Sequence, residues 1–360
     1  MRILMVDNMQ LRHYGNLKMG PGRKLVCGAI RNNYRLAEFS DRDIARYLAP
    51  LYIRKIGGHL ANKKLIQTAK NFKPDILFIA HCDYIRNWAL DEIRAALPKI
   101  RMAHFNIDPI WMDWHIQQIQ ERMYSTDAIF VTTGGDALKK FCTGKNVVAY
   151  MPNPVDPAME IEDNSLKTDF KYDLLFTGKE IAGDDRNDFV RQLERDLSDK
   201  LRFGIFGMFN HPPVWGANYE KVLAESKMSL NLNRKEGWPL YSSDRIAHLM
   251  GSGILTFLSD RGDMQKFFTD REAVFFHDLD DLKEKIFYYQ SNDEERRAIA
   301  AAGRKRYHEL FSGSRTLKFM VETLNLSVRL PLNNTLKFMV ETLLGEPYSE
   351  AYEWADQVYR

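Results

Sequence analysis

The chain reads as an α/β protein of two domains, each a parallel sheet with helices on its faces, and three observations carry that reading. Short apolar runs alternate with longer amphipathic stretches from the first residue, the pattern of βαβ units. At 151–157 the text becomes MPNPVDP, where neither a central strand nor a helix can continue. Beyond it the same alternation begins again. Two Rossmann-like domains facing across a cleft are therefore expected, in a chain whose 360 residues are long for one core.

In the first half, strands are expected at 2–6, 76–80, 100–106, 128–132 and 147–151, with helices at 60–71 and 88–97. The stretch 15–28 is rich in glycine and basic residues and reads as a loop. In the second half, strands are expected at 172–176, 202–206, 228–232, 254–258 and 273–276, and helices at 186–197, 219–225, 244–250 and 279–290. The domains are set at 1–152 and 153–325. A helical tail, 326–360, is expected to pack back on the first domain. That tail region holds an oddity: TLKFMVETL occurs at 316–324 and again at 335–343. Two copies are too few for a solenoid, so the repeat reads as a local duplication lengthening a helical region, with an interaction hook as the alternative.

Composition narrows the function classes. With 45% hydrophobic and 28% charged residues the chain has material for two cores. The net charge of +3 is too small for a duplex-binding footprint, so no nucleic acid partner is expected. Three cysteines, Cys27, Cys82 and Cys142, show no CxxC spacing and fit a reducing compartment. No apolar run approaches the ~20 residues of a membrane span, and the first residues lack a signal-peptide layout. A cytoplasmic protein is expected, with peripheral membrane association left open.

Ligands of open α/β sheets bind beyond the carboxyl ends of strands, where helix N-termini offer free amides. The residues there are Asp7, His81, Asp83, Asp108 and Trp111 in the first half. In the second they are Gly178, Lys179, Gly207 and the stretch 233–238. The strongest local signal is NRKEGWPLYSSDRIAHLMGSG, 233–253. A strand ends, a Gly237-Trp238-Pro239 turn exposes amides, and Ser242 or Ser243 is placed to cap the next helix. Arg245 in its first turn suits a phosphate. The Gly20-Pro21-Gly22-Arg23-Lys24 run suggests a phosphate cradle but lacks P-loop spacing, and no GxGxxG follows the first strand. Trp111 and Trp114 with His115 offer either a stacking wall for sugar or core packing. His81, Cys82 and Asp83, adjacent at one strand end, cannot all face one ion, so no metal is expected.

The 233–253 segment resembles the donor-binding motif of group 1 glycosyltransferases, most closely the branch similar to the spore maturation protein CgeB. The likeness extends through YDLLFTGKE, RFGIFG, YEKVLAESKMSLNLN and REAVFFHDLDDLKEKI, with PNPVDP at the interdomain turn and NIDPIW as an Asp-Pro element. The resemblance implies a GT-B glycosyltransferase with a nucleotide-sugar donor, no bound cofactor or metal, and a glycan, lipid-linked or small-molecule acceptor. It further implies an acidic pair, E-x7-E, on the donor's hydroxyls. Glu236 and Asp244 keep that spacing, whereas counting back from Gly253 puts His248 in the second place; both registers stay open. Lys179 and Arg186 resemble the basic pair that neutralises a departing diphosphate. Gly178, Gly207, Gly237, Trp238, Ser243 and Arg245 complete the expected donor set. Asp108, His81 and Glu236 are the expected catalytic groups, and Asp83 and Trp111 lie on the acceptor side. A nucleotide-sugar epimerase or hydrolase of the same fold, or a non-catalytic glycan-binding protein, are the competing classes.

Overall fold

The computed structural model describes residues 1–9, 11, 12, 15, 16, 20–326 and 351–360. Along the chain run β1 (Arg2–Asp7), the two-residue strands β2 (Leu11–Arg12) and β3 (Gly15–Asn16), α1 (Pro21–Arg31), β4 (Arg35–Ser40), α2 (Asp41–Leu48) and α3 (Arg54–Phe72). Then come β5 (Ile76–Ile79), α4 (Asn87–Ala96), β6 (Arg101–Asn106), α5 (Asp113–Arg122), β7 (Ala128–Val131) and β8 (Val147–Tyr150). The second alternation comprises β9 (Tyr172–Thr177), α6 (Asp185–Leu197), β10 (Phe203–Phe206), α7 (Ala217–Ala224), β11 (Ser226–Asn231) and α8 (Arg245–Gly251). It closes with β12 (Leu255–Ser259), β13 (Val274–Phe276), α9 (Leu279–Ser291) and α10 (Asp293–Phe311), after which come α11 (Gly313–Leu326) and β14 (Val358–Tyr359).

Two units result, one made of 1–154 with 313–360, the other of 155–312. The first holds a sheet in the order β14-β8-β7-β6-β5-β1-β4, parallel except where β14 pairs antiparallel with β8. Strands β1, β5, β7 and β8 are near-continuous apolar runs, as expected where both faces of a parallel sheet are covered. Ile3, Leu4, Met5 and Val6 of β1 are wholly buried. The second unit holds a parallel sheet in the order β10-β9-β11-β12-β13. In each sheet the winding reverses beside the first strand, between β1 and β5 and between β9 and β11. Such reversals leave a crevice beyond the strand ends.

Four expectations change. The expected glycine-rich loop is helical from Pro21 onward: Gly20 is the N-cap and Pro21 takes the first turn, where its missing N–H costs nothing. Lys24, expected on a phosphate loop, is fully buried. β4 escaped notice because it is an edge strand with partly exposed residues and no continuous apolar run. α11, placed with the second domain by its position before 325, belongs to the first unit, where Gly28 of α1 lies against the Gly313 backbone. The expected helical end of the tail finishes, within 351–360, in a 3-10 turn and β14. One TLKFMVETL copy lies in α11; the copy at 335–343 falls outside the described residues, as do 17–19 of the expected loop.

Candidate functional site

Beyond the ends of β9 and β11 the second unit gathers Lys179, Arg186, Arg234 and Arg245. The ring of Phe176, in β9, lies 5.1 Å from the Arg245 guanidinium and 5.8 Å from that of Arg186. Arg245 donates from Nε to Asn231 Oδ1 (3.1 Å), from Nη1 to the Thr177 carbonyl (2.7 Å) and from Nη2 to the Leu232 carbonyl (2.7 Å). All three acceptors are neutral. Burial, with Arg186 nearby, pulls its pKa down to about 10, so the fold holds a cation whose charge is not cancelled locally. Arg186 donates to the Lys179 carbonyl at 2.7 Å. It shares Asp184, 3.6 Å away, with Arg234, whose Nε is 3.1 Å from the same carboxylate. Burial lowers the Arg186 pKa as well.

A cavity of 540 Å³ opens over Thr177, Gly178, Lys179, Trp215, Arg245 and His248. Another, of 560 Å³, opens over Arg186, Asn233, Arg234, Glu236 and Arg261. Gly207 at the first cavity has φ +85, and a Cβ there would meet the Gly178 carbonyl oxygen at 2.4 Å, so only glycine lets these two loops touch. Burial pushes the Glu236 carboxyl above its usual range, against the pull of Ser259, the Asn233 amide and Arg261. Gly237, at φ +78, turns the chain just past it, and Trp238 follows half-buried.

The two registers of the acidic motif meet in space. His248 Nδ1 lies 2.8 Å from Glu160 Oε1 and Nε2 lies 3.0 Å from Asp244 Oδ2. Asp244 and His248 are one helical turn apart, and Glu160, fully buried, comes from the segment preceding β9. No spacing in the sequence flags Glu160. The expected serine cap is absent: Asp244 is the N-cap of α8 and makes no capping hydrogen bond. Ser242 instead accepts from Asn231 Nδ2 and donates to the Ser243 carbonyl. α8 has seven residues, so its dipole is small and the side chains supply most of the positive field.

In the first unit, His81, Asp83 and Asp108 follow β5 and β6, and Trp111 sits part-exposed in the turn before α5. His81 Nε2 is 3.1 Å from Asp83 Oδ1, and Arg42 Nη2 holds the other Asp83 oxygen at 2.8 Å. The His81 hydrogen bond, with Arg42 adding to it, draws the Asp83 pKa down to about 2. Cys82 turns the other way, its thiol donating to the Val6 carbonyl, as expected of three neighbours at one strand end. Asp108 Oδ2 lies 3.7 Å from His81 Nδ1 and 3.6 Å from His115 Nδ1. Sequence reading placed His115 beside Trp114, without its approach to Asp108.

Residues 186–322 match a family model described as glycosyl transferase-like. No curated protein matches the chain in sequence. Among solved structures, Anabaena HepE in complex with UDP-glucose aligns at TM-score 0.55 and 12% identity, over 90% of this chain and 99% of that one. Sucrose-phosphate synthase from Thermosynechococcus elongatus aligns at TM-score 0.57 and 10% identity, over 91% and 99%. AviGT4, a glycosyltransferase involved in avilamycin A biosynthesis, aligns at TM-score 0.54 and 11% identity, over 91% and 98%. At such identities the likeness establishes the fold, the two-domain α/β architecture expected from the sequence.

Proposed function

We propose that this chain, a glycosyltransferase of GT-B fold, takes its sugar from a UDP- or GDP-activated donor whose diphosphate rests on Lys179, Arg186 and Arg245. The carrying observation is the charge pattern at the β9/β11 crevice: two guanidinium groups flank one ring, and Arg245 is bonded only to neutral acceptors. The uncancelled charge of Arg245, with Arg186 beside it, suits a departing diphosphate, whose stabilisation is the largest catalytic term available. The donor side of this reading needs no metal. Glu236 suits the donor's hydroxyls, because a carboxylate accepts from vicinal diols. Asp244, a fifth exposed, is preferred over His248 for the ribose, since His248 is already clasped between two carboxylates.

On the acceptor side, His81 and Asp108 are the groups for the attacking hydroxyl, with Asp83 and Trp111 beside them. The 233–253 segment supports the CgeB-like branch. A glycan, lipid-linked or small-molecule acceptor and a cytoplasmic setting remain part of the proposal. Among the described residues no helix is long and apolar enough to cross a membrane.

Calorimetric titration with UDP, GDP, CMP and UDP-glucose tests the donor reading. Binding of one diphosphate nucleotide is expected, weakened in Lys179→Ala and in Arg245→Gln. If none of the four binds, the proposal is wrong. Release of free sugar from the donor at full rate without acceptor points instead to a hydrolase or epimerase.

A further inference from the structure

We propose that His81, Asp108 and His115 form a binding site for a divalent transition-metal ion of the zinc class. The three side chains come from separate elements, the ends of β5 and β6 and the first turn of α5. Their ligand atoms all lie within 4.8 Å of one another. Asp108 Oδ2 stands 3.7 Å from His81 Nδ1 and 3.6 Å from His115 Nδ1. Both spacings exceed a direct hydrogen bond. They approach the edge of a tetrahedron around an ion with ligands at ~2.0–2.1 Å, which is about 3.3–3.4 Å.

Proton positions argue for His81 as a ligand. Its Nε2 faces the Asp83 carboxylate, which only accepts, at 3.1 Å and the Gln118 side-chain amide farther off at 3.4 Å, so the nearer carboxylate places the proton of the neutral ring on Nε2. Nδ1 then carries a lone pair, makes no hydrogen bond, and faces an oxygen of Asp108. A cation between them relieves that opposition. Asp83, steadied by Arg42, stands behind His81 as carboxylates stand behind metal-bound imidazoles, fixing tautomer and ring orientation.

His115 carries a latch. The Trp114 indole N–H donates to His115 Nε2 at 3.1 Å, which leaves the ring proton on Nδ1. Ligation through Nδ1 requires that proton to move to Nε2 and the indole to turn away. Trp114 is 49% exposed and its ring lies 5.1 Å from His81 and 5.0 Å from His115, so half of its surface is free of protein contact. Two imidazoles and one carboxylate favour zinc, cobalt or nickel over magnesium and calcium, which prefer oxygen alone. The sequence expectation of no metal rested on the family resemblance and on His81 with its chain neighbours, without His115. With the ion bound, His81 and Asp108 would act through it and not as a free acid and base.

The test uses the full chain, stripped with a chelator and titrated with Zn²⁺ by calorimetry and with Co²⁺ by visible absorption. One site per chain is expected, with a change in tryptophan fluorescence as Trp114 turns and no comparable response to Mg²⁺. His81→Ala and Asp108→Asn should abolish it, while Asp83→Asn should weaken it about 10–100-fold. Trp114→Phe removes the competing N–H at an exposed position and should tighten binding. Zn²⁺ that fails to bind, or binds equally in His81→Ala and Asp108→Asn, overturns the proposal and leaves a proton shared between His81 and Asp108. Should either of those variants misfold by circular dichroism, the opposite shifts of Asp83→Asn and Trp114→Phe decide; unchanged affinity in both counts against the site.

Discussion

Arg245 holds its position through the planar fork of its guanidinium, which reaches two carbonyls and an amide oxygen at once. Lysine has the charge without the fork. Arg245→Lys is therefore expected to weaken diphosphate-nucleotide binding by about tenfold or more, from losing one or two charged hydrogen bonds at ~1.5–3 kcal/mol each. Calorimetry with UDP reads this directly, and unchanged affinity would place the phosphate elsewhere. Asp7 makes a pH-dependent case. Burial pushes its carboxyl from 3.8 up to about 6, with Asp41 adding to the rise. Between those values the folded state holds a proton the unfolded chain has released, so stability falls as pH rises from about 4 to about 6. Above that window the loss is complete, on the order of 2–3 kcal/mol. Asp7→Asn should be more stable than the parent at pH 7.5 and nearly equal to it at pH 4; a constant difference across urea titrations at both pH values would contradict this. Gly22 belongs to the same arrangement, since a Cβ there would fall 1.7 Å from the Asp7 carboxylate.

Helices α1 and α11 show what close backbone approach does for an element. A Cβ on Gly28 would lie 2.2 Å from the Gly313 carbonyl oxygen, and one on Gly313 would lie 2.3 Å from the Lys24 carbonyl oxygen. Gly28→Ala gains up to ~1 kcal/mol of helix preference, yet overpacking of ~1–3 kcal/mol should win because backbone cannot step aside. A lower denaturant midpoint is expected; a higher one would show that the helices separate freely. These elements also mark where the sequence was legible. β1, β5, β7 and β8 are buried on both faces, so their apolar runs announce them. α1 opens with glycine and proline, which read equally as a loop. β14 is two residues long, and its partner β8 lies some 200 residues earlier; no local pattern records that pairing. The cations of the second unit were visible because Lys179 follows the end of β9 and Arg186 and Arg245 stand in the first turns of α6 and α8. Glu160 and the approach of His115 to Asp108 were not, because folding brings together residues with no shared period.

The two units differ in how the chain closes them. Residues 155–312 form one uninterrupted segment with its own parallel sheet and its own core, including Leu174, Phe176, Leu230, Phe257 and Leu282. Its ends meet, for the Val155 amide donates to the Phe311 carbonyl at 2.9 Å and Val155 bridges Ser312. The first unit is discontinuous. Phe319 of α11 packs edge-on against Phe130 of β7, Trp354 is wholly buried, and β14 completes the sheet beside β8. Losing a buried Trp alone costs about 3–5 kcal/mol, much of a domain's usual margin of ~5–15 kcal/mol. A fragment of 155–312 should therefore fold alone, unfold cooperatively and bind UDP, since Lys179, Arg186, Glu236 and Arg245 all lie within it. A fragment of 1–154 should fail to fold until 313–360 is joined to it. Circular dichroism and calorimetry on the fragments separate the outcomes. If 155–312 stays unfolded, its contiguous core is insufficient; if it folds without binding UDP while the full chain binds, the diphosphate site draws on groups beyond it.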